Sequence, residues 1–98
     1  MASPNINISP ELLRGKATDV RALRGQHDEA MSKLDTLIMT LDEVYSSDSQ
    51  RAFVERYQNM KPTFVQFSEL LEKYAADLDF AAKSFEDTDA AMAANNSK

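Results

Sequence analysis

Hydrophobic side chains recur with a seven-residue period through most of the chain, starting at Leu13. In the first half, three lines of the repeat are mostly apolar: Leu13, Val20, His27, Leu34 and Leu41; Leu23, Ala30, Leu37 and Val44; and Ala17, Met31, Ile38 and Tyr45. Three apolar positions in every seven form the broad stripe of a helix that packs inside a bundle. The first half therefore predicts one long amphipathic helix.

Sequence signals mark both ends of this first helix. Ser9 is suited to cap the N-terminus, Pro10 fits the first helical position, and Glu11 complements the positive end of the helix dipole. The period breaks in a serine-rich stretch after residue 44, where Ser47 followed by Gln50 matches a capping box. These signals predict a first helix over about residues 10–44 and a turn over residues 45–48.

The second half repeats in sevens again and is richer in aromatic residues. Its two apolar lines are Phe53, Met60, Phe67, Tyr74 and Ala81, and Tyr57, Phe64, Leu71, Leu78, Phe85 and Met92. Pro62 removes one backbone hydrogen bond, but the period continues in phase beyond it, which predicts one bent helix rather than two. We expect the second helix over about residues 48–90 and a frayed tail over residues 91–98.

Two long stripes joined by a short connection predict an antiparallel hairpin, with Leu34 and Phe67 in its core. The 98 residues form one domain with a thin core, and Val65, Leu70 and Phe80 lie off the main stripes. The expected fold class is therefore all-α, an antiparallel two-helix hairpin that dimerises into a four-helix bundle. Residues expected in the core of the hairpin or dimer are Leu34, Leu41, Phe53, Met60, Phe64, Phe67, Leu71 and Tyr74.

Composition and charge exclude several classes of function. The net charge of −5 disfavours binding to nucleic acid or anionic lipid, which needs clustered Lys and Arg. The longest apolar run spans residues 90–94, far short of the roughly 18 residues that a membrane helix needs. The N-terminal segment has no basic region followed by an apolar stretch, so we expect no ordinary signal peptide. The absence of cysteine carries no redox information.

No residues suggest catalysis or a bound cofactor. His27 is the only histidine and lies at an apolar position, where a packing residue or a determinant of helix register is favoured over a metal ligand. Glu69 and Glu72 form a carboxylate pair, but the Glu-x-x-His motifs of metal-binding bundles are missing. The serines lack the sequence context of a nucleophile. We therefore expect a non-enzymatic protein without metal, cofactor or small-molecule substrate.

The chain resembles the Trp-Xaa-Gly (WXG) family of early secreted antigenic target-like proteins, which are helical hairpins of roughly a hundred residues exported by type VII secretion systems. The likeness covers nearly the whole chain and starts with the segment at residues 6–13. The family's Trp-Xaa-Gly turn corresponds to Tyr45, Ser46 and Ser47, and Phe53 stands eight positions after Tyr45, where the family has an aromatic residue. The signature is therefore degenerate in this chain.

The family's export motif is an aromatic residue, usually Tyr, followed four positions later by an acid near the end of the second helix. Phe85 and Asp89 fit it, and no other of the eight aromatic residues has an acid at that spacing. From the sequence alone, Phe85 is equally well explained as the last packing residue of the stripe and Asp89 as a solvated charge.

The resemblance implies a bacterial protein that is secreted or held at the cell surface without a cleaved signal peptide, and is cytoplasmic before export. Its implied partners are a second copy (homodimer), a related family member (heterodimer) and the membrane ATPase of the secretion system. It would act as a dimeric substrate or co-secreted adaptor. The alternative is an intracellular helical targeting chaperone or a structural coiled-coil partner of a larger secreted effector.

Overall fold

The computed structural model describes residues 8–96, with side chains described for residues 8–89. Over this range all regular structure is helical: α1 spans Pro10–Val44, α2 spans Asp48–Asn96, and residues 45–47 connect them. The helices pack antiparallel and form a thin rod of 76 × 29 × 17 Å. The predicted all-α hairpin is confirmed.

The N-termini of both helices are capped by serines. The Leu12 N–H donates to Ser9 Oγ at 3.1 Å, and the Gln50 N–H donates to Ser47 Oγ at 3.0 Å. The Gln50 side chain does not complete the capping box but donates to Asp42 Oδ1 at 3.1 Å. Gln50 therefore ties the end of α1 to the start of α2 across the turn.

The second helix is longer than the sequence predicts. It runs as a single helix past Pro62, as predicted, but ends at Asn96 rather than near residue 90. Four of the five residues from 90 to 94 are alanine, which has the highest helix propensity, and this favours helix where no packing pattern remains. Residues 97 and 98 of the predicted frayed tail lie outside the described range.

A narrow seam of side chains separates the two helices. Its positions alternate at spacings of three and four residues: 13, 17, 20, 24, 27, 31, 34 and 38 on α1, and 50, 54, 57, 61, 64, 68, 71, 75, 78 and 82 on α2. Among the described residues, the buried hydrophobic side chains are Ala17, Ile38, Tyr57, Ala75 and Ala82. Because four of these five sit beside small or polar neighbours, one hairpin has only a thin core of its own.

The prediction that Phe67 lies in the hairpin core is wrong, whereas Leu34 does face the other helix. Phe67 is half-exposed, because the position that faces α1 is the next one, Ser68. Ser68 is buried and its hydroxyl accepts a hydrogen bond from Arg24 Nε at 2.8 Å. Hydrophobicity alone assigns the most apolar line of α2 to the seam, but hydrogen bonds between the helices allow a less apolar line to take that place.

Candidate partner-binding face and recognition residues

The hairpin presents one apolar side to its surroundings. The residue directly before each of several seam positions is apolar: Leu23, Ala30, Leu37 and Val44 on α1, and Phe53, Met60, Phe67, Tyr74 and Ala81 on α2. In an antiparallel helix pair these positions of both helices fall on the same side of the seam. We call these nine residues, with the half-exposed Leu41 at the edge, the apolar face.

The opposite side of the seam is closed by ion pairs between the helices. Both guanidinium nitrogens of Arg14 lie 2.5 Å from the two carboxylate oxygens of Glu86. Arg21 Nη1 lies 2.7 Å from Asp79 Oδ2, and Arg21 Nη2 lies 3.0 Å from Glu72 Oε2. All five residues directly follow a seam position or continue that line, so the two sides of the hairpin differ in chemistry.

The structure divides the predicted core residues into two groups. Leu34, Phe64 and Leu71 lie in the seam of a single hairpin and are partly buried there. The other five are exposed along the apolar face: Leu41, Phe53, Met60, Phe67 and Tyr74. A contiguous apolar surface of this length on a small protein marks a site of protein association.

Hydrogen bonds on the polar side and in the seam shift the pKa values of several groups. The Arg14 and Arg21 guanidinium groups hold the pKa values of the Glu86 and Glu72 carboxyls, respectively, below their usual range. The hydrogen bond from Tyr57, followed by that from Lys61, lowers the pKa of Asp35. Burial, together with the bond to Asp35, raises the pKa of Tyr57 to about 12. These groups hold the helices in register in the ionised state of the carboxylates.

The lowered carboxyl pKa values predict loss of stability in acid. A carboxyl whose pKa is lower in the folded chain contributes stability that is complete above its unfolded pKa, about 4, and is lost as the pH falls through its folded pKa. We expect the melting temperature to fall below about pH 4, and to fall less steeply in Glu72→Gln, which already melts lower at pH 7. Thermal melts between pH 7 and pH 2 test this, with Glu55→Gln on the outer surface of α2 as the control. An unchanged pH profile in Glu72→Gln would contradict the role of its bond with Arg21.

His27 is a packing residue that connects the seam to the apolar face. Its Nε2 lies 3.0 Å from the carbonyl oxygen of Phe64, so this nitrogen carries the proton and donates it. The imidazole meets the ring of Phe67 edge-on, with the centroids 5.3 Å apart. This geometry bears out the predicted packing role of His27. The carboxylate of Glu72 is engaged by Arg21 and Arg24 instead of forming a metal site with Glu69.

The turn leaves one aromatic ring at the tip of the hairpin. The Tyr45 N–H donates to the Leu41 carbonyl at 2.8 Å, while its side chain is half-exposed. Ser46 Oγ accepts a hydrogen bond from Arg51 Nη1 at 2.9 Å. No described residue has a positive φ, so the place of the family's glycine does not require one, and Ser47 there serves as the cap of α2.

The second pair of predicted recognition residues lies at the far end of the rod. Phe85 is 45% exposed, and Asp89, one helical turn later, is exposed. Phe85 follows Ala82 on the seam line, where α1 is close to its own N-terminus. At 1.5 Å per residue, Phe85 is about 55 Å along α2 from Asp48, so one chain cannot present both the turn and this motif at one place.

Comparisons with known proteins agree over nearly the full chain. The model of a family described as WXG100, proteins of 100 residues with WXG, matches residues 5–90. Protein YukE of Bacillus subtilis is 30% identical over 84 residues, which cover 86% of this chain and 87% of that protein. The crystal structure of EsxA from Geobacillus thermodenitrificans matches with a TM-score of 0.85 at 30% identity, over 94% of this chain and 99% of that one. A secreted protein, ESXB of Bacillus anthracis, matches with a TM-score of 0.77 at 25% identity, over 89% and 99% of the two chains.

Proposed function

This chain belongs to the WXG100 family of small helical type VII secretion substrates, and from that membership we propose that it is exported as a dimer, formed through its apolar face. The observation that carries the proposal is the two-sided hairpin. Ion pairs close one side, and Phe53, Phe67 and Tyr74 lie exposed along the other. A second hairpin laid on that side would supply the missing half of a four-helix core.

The positions of the recognition residues favour an antiparallel dimer. Phe67 stands 22 residues after Tyr45 and 22 residues before Asp89, at the middle of the apolar line of α2. Two copies related by a two-fold axis near Phe67 would place the turn of one beside Phe85 and Asp89 of the other. The pair would then present a composite signal that neither chain offers alone. We propose that the ATPase of the secretion system recognises this composite surface.

The same surface is suited to two kinds of partner. A two-fold interface is self-complementary, so a second copy is the simplest occupant, and the protein then acts as a homodimeric substrate. The replacement of Trp-Xaa-Gly by Tyr45, Ser46 and Ser47 favours a second candidate, a co-secreted adaptor that borrows an intact turn from a related family member. In either case the protein is cytoplasmic before export and is not an enzyme.

Export should depend on the acid at the end of α2. Substituting Asp89→Ala removes an exposed carboxylate, so melting and dimer mass should stay unchanged, while the extracellular fraction in the native host falls about tenfold, equivalent to about 1.4 kcal/mol of lost recognition. Asp87→Ala is the matched control, since Asp87 is exposed two positions earlier and its carboxylate lies 3.5 Å from Lys83 Nζ. Quantitative blotting of cells and medium measures the effect.

Two results would count against this role of Asp89. Normal secretion of Asp89→Ala means that the family's export motif does not apply at this position. A variant that no longer dimerises means that Asp89 is structural. A fall in secretion of Asp87→Ala as large as that of Asp89→Ala means that only the total charge of the segment matters.

A further inference from the structure

Phe80 is the most exposed aromatic side chain of the protein, at 73%, and the apolar face does not account for it. It lies midway between the seam residues Leu78 and Ala82, about 160° around the helix from each at 3.6 residues per turn. A partner that covers the apolar face therefore leaves this ring in solvent. Single exposed hydrophobic residues are common, so the surroundings of Phe80 decide whether it forms a site.

The surroundings form a cleft between two phenyl rings. Phe80 and Phe85 bound it, and Ala81, Ser84 and Thr88 lie between them, enclosing about 370 Å³. The three intervening side chains are small, so the floor is low and the rings stand on either side. Such a notch fits a large apolar side chain of a helix that crosses α2. Because one of the two rings belongs to the export motif, the cleft adjoins the proposed recognition surface.

The charges around the cleft are almost all negative. Between residues 77 and 89 the acids are Asp77, Asp79, Glu86, Asp87 and Asp89, and the only base is Lys83. Two of these acids are held by arginines of α1, but Asp77, Asp87 and Asp89 lie on the exposed surface. An acidic rim around an aromatic notch is complementary to a segment that combines apolar and basic residues, and repels an acidic one.

We propose that Phe80 is a second recognition residue, and that together with Phe85 it takes the apolar side chain of a basic amphipathic helix from a partner protein. This inference rests on the proposed function, since it names the chemistry of the partner that reads the end of α2. Phe80 supplies apolar contact, and the surrounding carboxylates select positive charge. The contact is separate from dimerisation because Phe80 lies outside the apolar face.

Peptide binding in solution tests the inference directly. The probe is a fluorescently labelled 18-residue helical peptide of Leu and Lys, compared with its counterpart of Leu and Glu, and binding to the full chain is followed by anisotropy. We expect saturable binding of the Leu/Lys peptide and at least tenfold weaker binding of the Leu/Glu peptide. Phe80→Ala, which keeps every carboxylate, should weaken the Leu/Lys peptide at least tenfold. Met39→Ala is the matched control, because Met39 is 63% exposed on the outer side of α1.

Each other outcome overturns the inference. Unchanged binding to Phe80→Ala would mean that the peptide is attracted by charge alone, and equal binding of both peptides would mean that the acidic rim has no role. A lower dimer mass for Phe80→Ala would mean that a second copy covers the ring. If Phe80→Ala binds normally while Asp89→Ala still blocks export, only this inference fails; if Asp89→Ala is exported normally but the Phe80 result holds, the cleft remains and the proposed export signal fails.

Discussion

Leu37→Glu is expected to separate the dimer into folded hairpins, whereas Met39→Glu, two residues away, should leave it intact. The two side chains are equally exposed in a single chain, at 61% and 63%, but Leu37 lies on the apolar face and Met39 on the outer side of α1. In the proposed dimer each Leu37→Glu places an unpaired carboxylate in the apolar interface, at a cost of several kcal/mol. We therefore expect the dissociation constant to rise at least about 100-fold.

Analytical ultracentrifugation across dilution measures this difference, and circular dichroism shows whether the hairpin stays folded. Glu is a good helix former, so neither substitution should lower the helix content by itself. Equal effects of Leu37→Glu and Met39→Glu on the dissociation constant would mean that the apolar face is not the interface. A loss of helix in Leu37→Glu would mean that the hairpin does not fold without its partner.

Tyr57→Ala should be the most destabilising substitution within the hairpin. Tyr57 is only 5% exposed, and its hydroxyl donates to Asp35 Oδ1 at 2.6 Å. Loss of a buried aromatic ring costs about 3–5 kcal/mol, a large part of the 5–15 kcal/mol that typically stabilises a folded protein. Tyr57→Phe keeps the ring and loses only the hydroxyl, so its effect should be smaller.

Tyr74 provides the matched control, since it is a tyrosine of the same helix that is 54% exposed on the apolar face. The comparison belongs in the monomeric Leu37→Glu background, because dimerisation would otherwise add to the stability of every variant. There Tyr74→Ala should cost no more than about 1 kcal/mol in urea unfolding. A similar loss for the two tyrosines would mean that the seam passes through Tyr74 and that its placement in the structure is wrong.

The sequence predicts the helices well because their signals are local. Ser9, Pro10 and Ser47 act within one turn of each helix start, and the seven-residue period extends over both helices. The end of α2 is predicted less well, because alanine favours helix without leaving an amphipathic pattern. The short connection between two stripes of similar length is enough to predict the antiparallel hairpin.

Which apolar line faces which neighbour is not a local property, and here the sequence misleads. Lys61 and Ser68 hold seam positions on α2 because Asp35 and Arg24 on α1 bind them, and no periodicity reveals that pairing in advance. The more apolar line that holds Phe67 is displaced to the surface. The ion pairs of the polar side are equally non-local: Arg14 and Glu86 are 72 residues apart in the chain.

The recognition residues were found from the sequence through a family resemblance rather than through physical pattern. Phe85 and Asp89 fit a short motif, and Tyr45 marks a turn that any serine-rich break would also suggest. Phe80 was recognised only as an apolar residue off the main stripes. Its cleft appears once the folded helix shows which side chains lie between the two phenyl rings.

The central claim is that this hairpin is half of a dimer that forms through its apolar face, and the mass of the wild-type protein in solution tests it most directly. Light scattering during size exclusion, repeated over serial dilution, should give about 22 kDa, twice the 11.0 kDa of the chain, down to low micromolar concentration. A mass near 11 kDa over the same range, with helix content undiminished, would show that one hairpin is stable with its apolar face in water and would contradict the claim.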